Sequence, residues 1–289
     1  PGAIIHAIRC VRAPNHGECP MNPSAWQANL HLGFSRQGER TLLSRKTHHG
    51  PLTVQRPFYP EGDVCHVYLL HPPGGVVGGD RLAIDIAVQA AAHALITTPA
   101  AGKFYRSDGR RASQTVRLRL EDQARLEWLP QETLFYQGTH SETRVRVDLM
   151  PHSVFIGWDI FTLGRPAAGE GFAEGQVDLN WAIYRAGRPL LLERLALDAT
   201  AFLSVAGLAG HAMAGSLYAY PATPPHLHAV QAMIAEHPQA GATLVDDLLI
   251  VRVMDQRIGP LQECLRSVWQ HLRPALLGRH ASPPRIWAT

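Results

Sequence analysis

Three acidic residues stand where acids are costly. Asp80 in "GGDRLAIDIAV" shares its side of the alternation with Leu82, Ile84, Ile86 and Val88, while Arg81 and Asp85 take the other side. Asp159 in "VFIGWDIFTLG" shares its parity with Phe155 and Phe161, and Glu193 in "RPLLLERLALD" shares its own with Leu191, Leu195 and Leu197. A carboxylate on an inward strand face must be paired, hydrogen-bonded or metal-bound. Three chemistries fit such residues. They can be structural salt bridges to arginines such as Arg81, Arg165 or Arg194. They can line a water-filled passage or cation site. Two of them can also form the acid pair of a glycoside hydrolase, which needs only two carboxylates at a fixed separation. Glu127 in "ARLEWLPQ" is the contrast: it shares parity with Arg125, opposite Leu126 and Trp128, and is expected to face solvent.

The stretch before Asp80, "YLLHPPGGVVGGDRL", carries Gly74, Gly75, Gly78 and Gly79. A phosphate loop would need a following Lys-Ser/Thr, or a helix whose N-terminus holds the anion. Here the glycines run into Asp-Arg and a strand, so they read as a structural turn that places Asp80. Sixteen histidines include the pairs His48-His49 and His226/His228, with His71 and His93 at strand ends. No H-E-x-x-H or Cys/His zinc pattern accompanies them. A G-x-S-x-G elbow is also lacking, and no cysteine has local support as a nucleophile.

The elements that must position these residues are mostly strands. "RLAIDIAVQ", "QTVRLRLED" and "TRVRVDLM" alternate with a period of two, and similar short runs fill residues 26 to 200, punctuated by Gly, Pro, Asn and Asp. Few helical patterns fall between them, which favours a sandwich, barrel or coiled sheet over a βαβ fold. No repeat of fixed length marks a regular solenoid. Helical spacing enters late. "PPHLHAVQAMIAEH" carries Leu227, Val230, Met233 and Ile234, and "GPLQECLRSVWQHLRP" carries Leu261, Leu265, Val268, Trp269 and Leu272. Helices are expected near 224–237 and 260–273, the second ending at Pro274, with strand between them. The last stripe serves equally as core or as a contact face.

At 289 residues and nearly half hydrophobic, the chain is expected to be an ordered globular protein. A net charge of +3 gives no reason to expect nucleic acid or a membrane surface as partner. No apolar run approaches the ~20 residues that span a bilayer. The four cysteines form no C-x-x-C pair, which suits a reduced, cytoplasmic setting. Residues 1–20 lack periodicity and read as a loose extension, with one domain over 21–289 and a start expected near Met21.

Seven segments, in order, resemble the urease accessory protein D family, also called protein H. They are "GPLTVQRPFYPEG" (50–62), "CHVYLLHPPGGVVGGDRL" (65–82), "ALITTPAAGKFYRS" (94–107), "LEWLPQETLFYQG" (126–138), "GRP" (164–166), "LLLERL" (190–195) and "VWQHLRPALLG" (268–278). The resemblance spans roughly 26–289. It implies a non-catalytic, mainly β scaffold coiled into a superhelical, β-helix-like but non-repeating body with two C-terminal helices. It further implies assembly with accessory protein F, the GTPase accessory protein G and apo-urease, and delivery of nickel(II) through the interior with no tightly bound cofactor. Matched motif by motif, the acids of that route fall on Asp80, Asp159 and Glu193. Arg266 and Gln270, outside the apolar stripe of the last helix, are the residues expected to touch protein F. The rival reading is a β-rich hydrolase acting through a carboxylate pair.

Overall fold

The computed structural model describes residues 25–288, so the expected extension over 1–20 lies outside the described residues. The chain opens with an antiparallel pair, β1 (Gln27–Gln37) and β2 (Arg40–His49), followed by the short β3 (Thr53–Val54). It then alternates between two sheets. β4 (Cys65–Leu70), β6 (His93–Thr97), β9 (Arg125–Leu129) and β12 (Val154–Leu163) stack in parallel in one sheet. β5 (Arg81–Val88), β8 (Ala112–Leu120), β11 (His140–Leu149) and β13 (Gln176–Arg185) stack in parallel in the other, where β1 adds to β5. Short strands β7 (Gly102–Phe104) and β10 (Thr133–Phe135) bridge at one side.

β14 (Arg188–Leu197) turns back against β13, and the short helix α1 (Ala199–Leu203) follows. β15 (Met213–Tyr220), helix α2 (Pro224–Ile234), β16 (Ala240–Val245), β17 (Leu248–Asp255) and helix α3 (Ile258–Leu277) complete the chain. The first sheet is ordered β14-β13-β11-β8-β5-β1-β2, and the second runs β16-β17-β15-β12-β9-β6-β4-β3. This is the mainly β, coiled body the sequence implies, with parallel rungs wound between two faces. The first-sheet rungs begin at residues 81, 112, 140 and 176, so the rungs differ in length and leave no fixed repeat in the sequence.

Two cores result. Between the sheets lies one built from alternating positions such as Leu82, Ile84 and Ile86 of β5 and Val116, Leu118 and Leu120 of β8. A second core lies behind the second sheet, where α3 covers β12, β15 and β17 and α2 packs on β16 and α3. The α3 stripe of Leu261, Leu265, Val268, Trp269 and Leu272 is wholly buried there, so it is core and not a contact face. Gly215 lets α3 seat closely, because a Cβ on it would meet Leu265 Cδ1 at 2.9 Å.

Three expectations need correction. α3 does not end at Pro274: the missing N–H there costs only the bond to the Gln270 carbonyl, and the helix runs one turn further to a left-handed Gly278. α1 was not expected; it is one turn capped by Asp198, whose Oδ1 accepts from the Ala201 N–H at 2.8 Å. Glu127 does not face solvent. It is opposite Leu126 and Trp128 as parity requires, but its side of the sheet is covered by α3 and it is fully buried. No helix among the described residues is long and apolar enough to cross a membrane.

Candidate functional site

Between the two sheets the core is incomplete. A cavity of about 320 Å³ runs from the His71–Val76 turn to the middle of β12 and β13. Its walls are largely apolar, with Ile84, Val116, Phe135 and Trp128 among them, and Asp159 is the carboxylate that faces it. Asp159 is half-buried and lines this cavity. Its one described partner is neutral: the Trp181 indole N–H donates to Oδ2 at 3.1 Å. Burial pushes the Asp159 carboxyl above the usual carboxylate range, and the nearby charge of Glu193 adds to the rise against the Trp181 hydrogen bond.

Glu193 reaches the same neighbourhood from β14, directly opposite Trp181 in the ladder. Arg252 of β17 donates to its Oε2 at 2.6 Å, and the Tyr218 hydroxyl lies 3.4 Å from the same oxygen. Trp181 and Tyr218 stack with centroids 4.5 Å apart between the two acids. Burial, then the charges of Glu193 and Asp159, push the Tyr218 hydroxyl far up, so it stays a neutral donor. The cluster therefore holds two carboxylates, one arginine and two neutral aromatic donors.

Asp80 is placed differently. Its Oδ1 accepts the Trp26 N–H at 2.8 Å and its Oδ2 the Val77 N–H at 3.0 Å, so both oxygens fasten backbone at the turn. Its charge still reaches His71, which lines the cavity, and partly offsets the burial that lowers the His71 pKa. The glycines before it do shape the chain. Gly74 and Gly79 sit at φ +81° and +94°, while a Cβ on Gly75 would strike Tyr105 and one on Gly78 would lie 2.8 Å from Asp108. We expect Asp80→Ala to lower stability by about 1 kcal/mol or more by removing the buried acceptor that two backbone amides share, read as a fall in Tm. An unchanged Tm would free Asp80 from this anchoring role.

None of the arginines Arg81, Arg165 or Arg194 pairs with the three acids. Arg165 holds Glu170 and Arg194 holds Asp178. Arg266, expected on the outside of α3, is half-buried beneath the C-terminal 3₁₀ turn with its guanidinium 5.1 Å from the Trp287 ring centre, whereas Gln270 is exposed.

Parity reasoning missed a second ionic cluster. Arg273 of α3 is fully buried and grips two acids. Its Nε and Nη2 donate to Glu127 at 2.9 and 3.1 Å, and its Nη1 and Nη2 each donate to Glu61 at 2.7 Å. Trp269 donates to Glu127 Oε2 at 2.7 Å and His93 Nε2 to Oε1 at 2.9 Å, while His66 bonds Glu61 at 2.7 Å. Every oxygen of Glu127 is satisfied, so this cluster clamps α3 to β6, β9 and the 55–64 loop. The only local signal was an arginine one turn after the tryptophan of an apolar stripe.

Among the described residues, no three His, Cys, Asp or Glu side chains gather to hold a metal ion. A model of the UreD urease accessory protein family matches residues 27–288. The chain is 46% identical over 265 residues to a protein of Citrobacter koseri named urease accessory protein UreD, covering 91% of this chain and 92% of that one. Proteins of the same name from Pseudomonas putida and Klebsiella aerogenes are each 44% identical. The first covers 92% of this chain and 95% of its own length, the second 93% and 99%.

Proposed function

From the premise that the chain belongs to the UreD urease accessory protein family, we propose that it is a maturation scaffold for urease and carries no reaction of its own. In this reading it assembles with accessory proteins F and G and with apo-urease, and nickel(II) passes through the cavity between its sheets. One observation carries the route: Asp159, without a contacting cation, faces a largely apolar cavity beside a second acid. Burial of such a carboxylate is unfavourable for folding. A cation in transit offsets that cost at the moment it passes.

The ligand chemistry supports passage over retention. Carboxylate oxygens hold Ni²⁺ less firmly than imidazole or thiolate, so an ion bound to Asp159 keeps most of its water and can move on. Glu193, held by Arg252, stays a fixed negative charge beyond the Trp181–Tyr218 stack. Asp80 belongs to this reading through its charge on His71, since its own oxygens hold backbone. The hydrolase alternative is the weaker one. A glycoside needs both acids to flank one subsite, whereas Asp159 faces a cavity that Glu193 does not line.

The assembly is tested by co-expressing the urease subunits and accessory proteins with and without this chain, then measuring nickel per urease. Omission is expected to leave urease largely metal-free; equal nickel content without the chain would overturn the reading. For the contact with protein F, Gln270 is the residue of choice, because Arg266 already stacks on Trp287. Gln270→Glu is expected to weaken capture of protein F several-fold at unchanged Tm, as one charge at an interface edge does. Capture at wild-type strength would move the contact away from this face of α3.

A further inference from the structure

Among the described residues no helix lies over the outer face of the first sheet, and its centre is arginine. Arg117 on β8 and Arg146 on β11 are direct lateral partners in the parallel ladder. One pair of residues along, Arg144 of β11 and Arg194 of β14 flank Asn180 from its two sides. The acids of this face are already engaged: Asp148 and Glu142 hold Arg146 and Arg144, Asp178 holds Arg194, and Asp85, the ladder partner of Arg117 on β5, holds Arg119. Among the described residues Arg117 has no ion pair. Like charges side by side across strands cost stability. Arg146 is held by Asp148 and lies over the Tyr184 ring, and Asp85 beside Arg117 is taken by Arg119, so Arg117 is the member of the pair left without an acid of its own.

The same surface carries apolar area. Ala182 is the ladder partner of both Arg146 and Leu192, and Leu192 is 64% exposed. With Arg117, Arg144, Arg194 and one acid, Glu193, which Arg252 already holds, these residues line a shallow groove of about 470 Å³. Its inner wall, Val116, Val145 and Trp181, is shared with the cavity that holds Asp159. Guanidinium groups in fixed array match separate carboxylates by paired hydrogen bonds, and an exposed leucine beside arginines is the composition of a protein contact. A continuous phosphate backbone fits poorly, because Asp85, Asp148 and Glu193 would face its charge.

We propose that this groove docks the acidic surface of a protein partner, with Arg117 and Arg146 as its central cations and Leu192 as its apolar anchor. The proposal rests on the reading that the chain works inside a protein assembly, and adds where one member sits. Docking there would neutralise the arginines on the far side of Trp181 from Asp159, so it also lowers the positive field next to the cavity.

The test measures binding of the full-length chain to purified apo-urease, protein F and protein G separately. One of them is expected to bind about tenfold more weakly at about 0.5 M than at about 0.05 M NaCl, through screening of exposed charge. Arg117→Glu with Arg146→Glu should reproduce that loss at low salt in a chain that still melts cooperatively above the assay temperature, and Leu192→Ser should weaken the same partner. Arg45→Glu with Arg257→Glu, both exposed and off the groove, changes net charge equally and should bind as wild type. If the groove variants bind all three proteins as the wild type does, the docking site is overturned while the scaffold reading stands. Binding to none by the wild type overturns both. If the groove variants lose duplex DNA binding and no protein binding, the occupant is nucleic acid and the proposal fails.

Discussion

Arg273→Met is expected to remove the chain from the soluble fraction. The substitution fits the volume but leaves Glu127 fully buried and Glu61 largely so, with no guanidinium between them. Breaking one member of a buried ionic cluster costs about 3–5 kcal/mol, a large share of the stability of a domain. Arg273→Met combined with Glu127→Gln and Glu61→Gln should recover soluble protein in part, because no uncompensated charge is then buried. Equal yields from the single and triple variants would show that packing, and not charge, decides the outcome. The same cluster sets the acid limit. Burial raises the Glu127 pKa, but the hydrogen bond from His93 and the electrostatics of His93 and Arg273 outweigh it and bring the carboxyl from 4.5 to about 2. Its folded value is depressed, so its contribution is complete above the unfolded value. It is lost as pH falls from about 4.5 toward 2. Glu61 is depressed in the same sense by His66 and Arg273 against its burial. Thermal melts across that window should fall steeply in the wild type and less steeply in the triple variant. Parallel curves would remove these acids from the account.

Asp159→Asn with Glu193→Gln is expected to leave the complex intact and to cut nickel transfer to urease on the order of tenfold, the scale seen when groups around a metal path are changed. The structure makes this pair a cleaner test than any pair with Asp80, whose loss strands the Trp26 and Val77 amides. It also gives the two readings opposite signs in stability. The Asp159 pKa is raised by burial and by Glu193, so the ionised group is disfavoured in the folded state above its folded pKa. An asparagine there keeps an oxygen for Trp181 and carries no charge. Asp159→Asn alone should therefore hold or raise Tm at neutral pH, and raise it less at acid pH, where the carboxyl is already protonated. Glu193→Gln removes a half-exposed pair with Arg252, whose loss is modest. Unchanged nickel transfer by the double variant would sink the route through the cavity. A lower Tm for Asp159→Asn would make that residue a structural one.

The inward direction of Asp80, Asp159 and Glu193 followed from the period-two pattern alone, because side chains on a strand alternate whatever the sheet packs against. For the same reason the strand-rich body and the two late helices were legible, since each rests on spacing within about a dozen residues. The family resemblance came from ordered segments along the whole chain. What alternation cannot state is the identity of the medium on each side. Glu127 was read as facing water because it lay opposite Leu126 and Trp128. A helix more than a hundred residues later covers that side and brings Arg273 and Trp269 to it. The partners of the three acids were equally hidden: Asp159 meets Trp181 and Glu193 meets Arg252 across separations of 22 and 59 residues. The cavity and the arginine pair of the outer face arise only when rungs of unequal length come into register, which sets Arg117 beside Arg146. Local spacing is thus written in the sequence, because neighbouring residues share one backbone geometry. Which charges meet, and where the core is left open, was decided by contacts between distant segments, because only tertiary packing brings them within reach of one another.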